Sequence, residues 1–278
     1  MSFNKRNINN IDVKYLSDAL EINKSITKLE LTFSYLGNKE MEYLSNIFKI
    51  NQTITNLTIC FYNKDNEGLK YFCNMLKDNK VLKKLNIYEI NNDEMKYLSE
   101  ALIVNDSIVK LNLAGNKINT CGMKYLCNAL KINKKITHLN LSNCDIDSYA
   151  MKYLSTMLKY NNSIIILNLW YNNIGDKGMI YLSKALKFNK SISKINLRTN
   201  GIDNLGFWYL SQVLKFNKTI THLDLNLNKI NIYGLKYLIE SLTSNNVILH
   251  IDIDQTYRNL DIYLPLLNKL LYINKMYK

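Results

Sequence analysis

Proline, glycine and long apolar runs are scarce in this 278-residue chain. Proline occurs once, at Pro265, and glycine nine times. This scarcity excludes proline-rich linkers and glycine-rich flexible tracts, so we expect one domain. No apolar run approaches the roughly 20 residues that span a bilayer, so no membrane partner is expected. The polar start Met1–Arg6 is followed by no apolar segment, and no secretory signal is predicted.

Paired cysteines and catalytic motifs are also missing. The five cysteines are odd in number and fall at different positions of the repeat described below, as expected of reduced thiols in a cytoplasmic protein. We find no Gly-x-Ser-x-Gly elbow, phosphate-binding loop or Cys–His pairing. The sequence therefore predicts no enzyme, no catalytic residue, no metal site and no cofactor.

Acidic residues are fewer than basic ones, and the formal net charge is +13. Such a charge is compatible with a nucleic-acid partner. We favour a compositional origin, because Lys, Asn, Ile and Tyr are all abundant and all have AT-rich codons. That composition suggests a large DNA virus or an intracellular pathogen as the source, in which case the partner is a host protein.

Two features recur along the chain with the same period. A tyrosine followed by Leu or Phe recurs every 28 residues, with one step of 26, at Tyr15, Tyr43, Tyr71, Tyr97, Tyr125, Tyr153, Tyr181, Tyr209 and Tyr237. A Leu-x-Leu element or a close relative recurs at Leu29, Leu57, Leu85, Leu111, Leu139, Leu167, Ile195, Leu223 and Ile251. A fixed period of this size predicts a solenoid of stacked supersecondary units.

One repeat contains a strand followed by a helix. Ile108, Leu111 and Leu113 alternate as in a strand with one apolar face. An apolar stripe at helical spacing follows, formed by Met123, Leu126, Ala129 and Leu130. An Asn column lies between strand and helix, where its amides are expected to bond the turn backbone. The column consists of Asn116, Cys144, Asn172, Asn200 and Asn228, and it fails at Ser34, Tyr62, Ile90 and Thr256.

This pattern resembles the leucine-rich repeat L-x-x-L-x-L-x-x-N-x-I, of the longer helix-containing, ribonuclease-inhibitor-like type found also in Ran GTPase-activating proteins and NOD-like receptors. The resemblance implies an α/β horseshoe with a parallel sheet on the concave face and helices on the convex face. We expect a single domain over 1–278, with an N-terminal helical cap in 1–27, about nine repeats in 28–254 and a C-terminal capping helix in 255–278. A monomer is expected.

The predicted function is binding of a protein partner on the concave surface. The acidic and basic residues of that surface balance, so nucleic acid is not its expected ligand. The predicted partner-binding residues are Tyr88, Asn140, Ile166, Asn168, Trp170, Tyr171, Arg198, His222, Asp224, Asn226, His250, Asp252 and Asp254. Trp, Tyr and Arg are enriched at binding hot spots, so Trp170, Tyr171 and Arg198 are expected to contribute most.

Several alternatives stay open at the level of sequence. The His and Asp residues of the last two repeats form either a divalent-metal site or, as we favour, an acidic patch for a basic partner. Ile180 and Trp208 interrupt a convex lysine column and are a second candidate contact site. The resemblance to Ran activators suggests a GTPase-activating role for the concave Asn residues, and the basic convex face suggests weak polyanion binding.

Overall fold

The computed structural model describes residues 10–32, 36–61, 66–254 and 262–276. Three failures of the Asn column, at Ser34, Tyr62 and Thr256, lie outside these residues. Parts of both predicted caps also lie outside, namely residues 1–9, 255–261 and 277–278.

Helices and strands alternate through the described residues, as the repeat predicts. The strands are β1 (Lys28–Leu31), β2 (Asn56–Cys60), β3 (Lys84–Tyr88), β4 (Lys110–Asn112), β5 (His138–Asn140), β6 (Ile166–Asn168), β7 (Lys194–Asn196), β8 (His222–Asp224) and β9 (His250–Asp252). The helices are α1 (Asn10–Ile22), α2 (Asn38–Ile50), α3 (Glu67–Asp78), α4 (Asn92–Val104), α5 (Thr120–Ile132), α6 (Ser148–Tyr160), α7 (Gly175–Leu186), α8 (Asn204–Leu214), α9 (Ile232–Leu242) and α10 (Leu264–Met276). The strands follow one another in chain order. The predicted α/β repeat architecture with a parallel sheet is confirmed.

The chain divides into two compact units, Met1–Leu139 and Asn140–Lys278. In the first unit, β1 to β4 pair in parallel and align Leu29, Leu57, Leu85 and Leu111. These leucines are buried, because one face of each strand points toward the helices. Helices α1 to α5 pack against their sequence neighbours.

The second unit repeats the same arrangement. Strands β6 to β9 pair in parallel and align Leu167, Ile195, Leu223 and Ile251. Their side chains are buried, and the residues on either side of them are partly or fully exposed. The unit therefore presents one regular polar sheet surface to solvent, and its positions can be compared strand by strand.

The turns that carry the Asn column are held by its side-chain amides. Asn172 Oδ1 accepts bonds from the backbone N–H groups of Cys144 and Ile146, at 3.0 and 2.9 Å. Its Nδ2 donates to the carbonyls of Leu141 and Leu169, both at 2.9 Å. One side chain thus satisfies backbone groups of two successive repeats, which a bare turn would leave unpaired.

A second Asn column lies after the helices, and its structural role is not evident from the sequence. Seven of its members are buried and donate Nδ2 to a carbonyl of the preceding repeat, namely Asn51, Asn79, Asn105, Asn133, Asn189, Asn217 and Asn245. The signal that reveals this column is an Asn at constant spacing, followed two residues later by Ser or Thr in several repeats.

Glycine near the start of the helices permits close contact between repeats. The Gly206 N–H donates to Asp176 Oδ1 of the preceding helix at 3.0 Å. A Cβ atom at Gly206 would lie 2.6 Å from that oxygen, so a larger residue would push the two helices apart.

Candidate interaction surface

The solvent-facing side of β6 to β9 brings six of the thirteen predicted binding residues into register. One row contains Ile166, Lys194, His222 and His250, and a second row contains Asn168, Asn196, Asp224 and Asp252. Neighbouring members are separated by one strand spacing of about 4.8 Å. These eight side chains line a shallow concavity of about 280 Å³. Lys194 and Asn196 are absent from the predicted set, although the same register places them between its members.

Two aromatic rings lie at one end of this surface. Trp170 and Tyr171 follow β6 directly and are 43% and 57% exposed. Their ring centroids are 6.3 Å apart in an edge-on arrangement. The Tyr171 N–H donates to the Arg198 carbonyl at 2.9 Å, which fixes Arg198 as the neighbour on the next strand segment. The three predicted anchor residues are therefore adjacent.

The backbone at Tyr171 is left-handed, with φ of 55°. The equivalent residues Asn143, Thr199 and Leu227 have φ between 52° and 54°. This conformation turns the chain sharply out of the strand, and non-glycine residues adopt it at a cost of about 1–2 kcal/mol. This left-handed backbone is not evident from the sequence, because glycine, the residue that favours it, occurs at this repeat position once, at Gly115.

Three of the Asn and Asp residues between the strand leucines of the second unit bond the backbone two residues on. Asn168 Oδ1 accepts the Trp170 N–H at 3.0 Å, and Asn196 Oδ1 accepts the Arg198 N–H at 2.9 Å. Asp224 Oδ1 accepts both the N–H and the Nδ2 of Asn226, at 3.1 and 2.9 Å. These bonds close a local turn at the strand end, which is a reason for Asn or Asp in this column that is independent of any partner.

The histidines and carboxylates lie at the other end of the surface. His250 Nε2 is 3.0 Å from Asp252 Oδ1, and both side chains are about half exposed. The His222 and His250 rings are 6.0 Å apart between centroids. Asp254 is partly exposed and follows β9. Within the residues that the structure describes, no group of three or more His, Cys, Asp or Glu side chains is arranged to hold a metal ion.

Two predicted residues belong to other parts of the chain. Tyr88 lies in the first unit, where its hydroxyl accepts a bond from Asn112 Nδ2 at 3.2 Å. Asn140 ends β5, and its Oδ1 accepts the Ser142 N–H at 3.0 Å. In the first unit the pKa of His138 is lowered by burial and, secondarily, by nearby Lys110, so this histidine is held neutral more strongly than a solvated one.

The second predicted patch lies on the helices. Ile180 is half-buried on α7, and Trp208 is exposed on α8. The Trp208 ring contacts Tyr209 edge-on, with centroids 4.8 Å apart. None of the helices in the described ranges has the length and apolar character needed to cross a bilayer.

The comparisons with known proteins agree with this geometry. A sequence model described as "Leucine Rich repeat" matches residues 104–127, 133–155, 160–183 and 216–238. The matched segments are leucine-rich repeats. No curated protein sequence shows a significant match.

Three solved structures align with the chain. The leucine-rich repeat-containing protein LegL7 from Legionella pneumophila aligns with a TM-score of 0.61 and 18% identity, covering 95% of this chain and 89% of that one. The tropomodulin C-terminal domain from Caenorhabditis elegans aligns with a TM-score of 0.38 and 16% identity, covering 77% and 95%. Leiomodin-1 actin-binding site 2 aligns with a TM-score of 0.45 and 17% identity, covering 68% and 91%. The fold assignment draws on the first of these.

Proposed function

We propose that this leucine-rich-repeat protein is a non-enzymatic interaction module that binds a partner protein on the solvent-facing side of β6 to β9. The observation that carries the proposal is the adjacency of Trp170, Tyr171 and Arg198 on a rigid part of the sheet. The helix between successive strands and the 28-residue period also support the ribonuclease-inhibitor-like type. Cytoplasmic location, a monomeric state and a host-protein partner stay predictions from the sequence.

The rigidity of the surface favours binding. The backbone of Trp170 and Tyr171 is fixed by ladder bonds to both neighbouring segments, because the Trp170 carbonyl accepts the Asn143 N–H at 2.8 Å and Tyr171 bonds Arg198. Aromatic side chains have few rotatable bonds, so burying two of them costs little conformational entropy. Exposed aromatic rings held in this way are suited to enter an apolar recess of a partner.

Charge divides the same surface into zones. Lys194 and Arg198 supply positive charge beside the aromatic end, whereas Asp224, Asp252 and Asp254 supply negative charge beyond them. A complementary partner presents an apolar recess, then an acidic group, then a basic group, separated by multiples of the strand spacing of about 4.8 Å. This order predicts the orientation in which the partner lies across the strands.

Neither alternative from the sequence gains a supporting observation. A GTPase-activating role needs free Asn side chains, yet Asn140, Asn168 and Asn196 each direct their oxygen to a backbone N–H. Polyanion binding through the basic convex face stays a prediction from the sequence, and the sheet surface, which carries both signs, is not suited to it. We therefore propose no second function.

The test is affinity capture from cell lysate with the full chain as bait. The variant Trp170→Ala/Tyr171→Asn/Arg198→Ala removes the anchors, and Asn is chosen at 171 because it tolerates a positive φ. Truncating such an anchor typically costs about 2 kcal/mol or more, or about 30-fold in affinity. We expect a protein that the wild type retains and the variant loses.

The matched control removes an exposed aromatic residue from a different surface. Tyr149→Ala, on α6, removes a side chain that is 70% exposed and should retain the same partner. Circular dichroism establishes that both variants are folded. Equal capture by the wild type and the sheet variant would contradict the proposed site.

A further inference from the structure

A groove of about 310 Å³ lies between α7 and α8 in the second unit. Its apolar lining comes from Ile180 on α7 and from Tyr209, Val213 and Phe216 on or after α8. Phe216 is 75% exposed, so most of its ring faces water. Two helices that pack without such a gap would cover more of this apolar area.

The groove coincides with two departures from the repeat, at Ile180 and Trp208. Ile180 occupies a position where the preceding repeat has Lys152 and the second repeat after it has Lys236. An isoleucine there adds an apolar wall where a lysine would direct a charge to solvent. Trp208 occupies the same position on α8 and packs its ring against Tyr209, which braces the opposite wall.

The polar residues of the groove include two positive charges and no negative one. Lys184 and Lys187 line it beside Ser183, Gln212 and Asn217. Both lysines are exposed and, among the residues that the structure describes, neither forms an ion pair. Nearby Lys215 differs, because its Nζ lies 2.8 Å from Glu240 Oε1.

We propose that this groove is a second docking site, which takes a short acidic segment of a partner protein. One aliphatic or aromatic side chain of the segment enters between Ile180 and Phe216, and carboxylates on either side of it pair with Lys184 and Lys187. Lys184 lies on α7 and Lys187 is its C-cap residue with helical dihedral angles, so the two lysines lie on one side of the groove about one helical turn apart. The volume is near the lower end of the range for ligand pockets, roughly 300–1,000 Å³, and it suits a side chain rather than a folded domain.

This site is independent of the one on the sheet, and the two tests are separable. Short random-sequence peptides displayed on phage are selected on the immobilised full chain and counter-selected on Ile180→Lys. Lysine is the residue that the preceding repeat carries at this position, at Lys152, so this variant is expected to fold. We expect the recovered peptides to be acidic and to contain a large apolar residue.

Synthetic versions of these peptides are then titrated by fluorescence anisotropy. Lys184→Glu/Lys187→Glu should weaken binding at least tenfold, the equivalent of about 1.4 kcal/mol, and added salt should weaken binding to the wild type. Lys177→Glu/Lys190→Glu makes the same charge change at exposed lysines outside the groove and should bind normally. The sheet variant Trp170→Ala/Tyr171→Asn/Arg198→Ala should also bind normally.

Three results would overturn the docking site. They are recovery of the same peptides on Ile180→Lys, enrichment of neutral or basic peptides, and the absence of any enriched peptide. A further contradictory result is equal weakening by the two lysine pairs, which would indicate attraction to the net charge of +13 rather than to the groove.

Discussion

Replacement of Asn189 by alanine tests what holds neighbouring repeats together. Asn189 is 1% exposed. Its Nδ2 donates to the carbonyls of Leu158 and Asn161, both at 2.8 Å. Its Oδ1 accepts the N–H groups of Ser191 and Ile192 at 3.0 and 2.9 Å. Alanine removes all four bonds and leaves the four backbone groups without this partner.

The size of the destabilisation by Asn189→Ala depends on how many of these backbone groups water can reach. The bonds to Leu158, Asn161 and Ile192 are buried, and the bond to Ser191 is partly buried. An unpaired buried group costs about 1–3 kcal/mol. Three such groups, with part of the loss relieved by local relaxation, give an expected decrease of about 3–5 kcal/mol in the free energy of unfolding. Urea unfolding followed by far-ultraviolet circular dichroism measures it.

Asn189→Asp separates the donor role from the acceptor role. Aspartate keeps the acceptor oxygen but, when ionised, has no proton to donate to Leu158 and Asn161. Burial opposite two carbonyls raises the pKa of the introduced carboxyl in the folded protein. Its contribution to stability is therefore present at low pH and lost as pH rises through the folded-state pKa. The deficit relative to wild type should be smaller near pH 4 than near pH 7.

The matched control is Asn162→Ala, at an exposed residue immediately after another member of the column. Surface substitutions of this kind usually change stability by less than about 0.5 kcal/mol. If Asn189→Ala destabilises no more than Asn162→Ala, the buried Asn column does not hold the repeats together and the reasoning is refuted.

Three further predictions concern single residues. Thr199→Asn should raise the free energy of unfolding by about 0.5–1 kcal/mol, because Thr199 has φ of 54° and asparagine tolerates that conformation better. Urea titration measures the change. An unchanged free energy of unfolding would refute the assignment of backbone strain to Thr199. The pKa of Glu94 is raised mainly by burial, so its carboxyl contributes stability at low pH that is lost as pH rises. Glu94→Gln should therefore gain stability relative to wild type between about pH 4 and pH 7, and a pH-independent difference would contradict this. One thiol should react with a disulfide reagent in the native protein, because Cys121 is exposed and burial raises the pKa of the Cys73 and Cys127 thiols. This reaction should be lost in Cys121→Ser. Rapid reaction of more than one thiol would refute the described burial.

The sequence predicts the fold well because the repeat determines both the buried face of each strand and the register between strands. Alternating leucines define which strand face is buried, and a fixed repeat length sets the register of each strand against the next. For this reason Ile166, Lys194, His222 and His250 form a row that their positions in the repeat already imply.

Polar residues with structural roles are harder to identify from sequence. Asn189 belongs to a sequon and looks like a surface residue, yet it is buried because the helix end leaves carbonyl groups that need donors. Asn168 looks like a contact residue, yet its oxygen closes a turn. A single sequence does not separate these roles, because the same amide serves a backbone group or a partner equally well.

The candidate sites depend on shapes that repeat positions do not specify. Column positions predict that Trp170 and Arg198 are neighbours, but the left-handed backbone at Tyr171 is a property of the turn. The groove beside Ile180 arises from the gap between two helices, and its lysines are unremarkable in a chain with many lysines.

The most direct test of the proposed function is site-specific crosslinking of the partner. A photoreactive amino acid is placed at Lys194 on the sheet, beside the anchors, and in a second variant at the exposed helix residue Lys152. Each variant is irradiated in lysate. If the solvent-facing side of β6 to β9 binds the partner, position 194 yields a discrete crosslinked protein and position 152 does not. Crosslinking from position 152 alone would contradict the proposed surface.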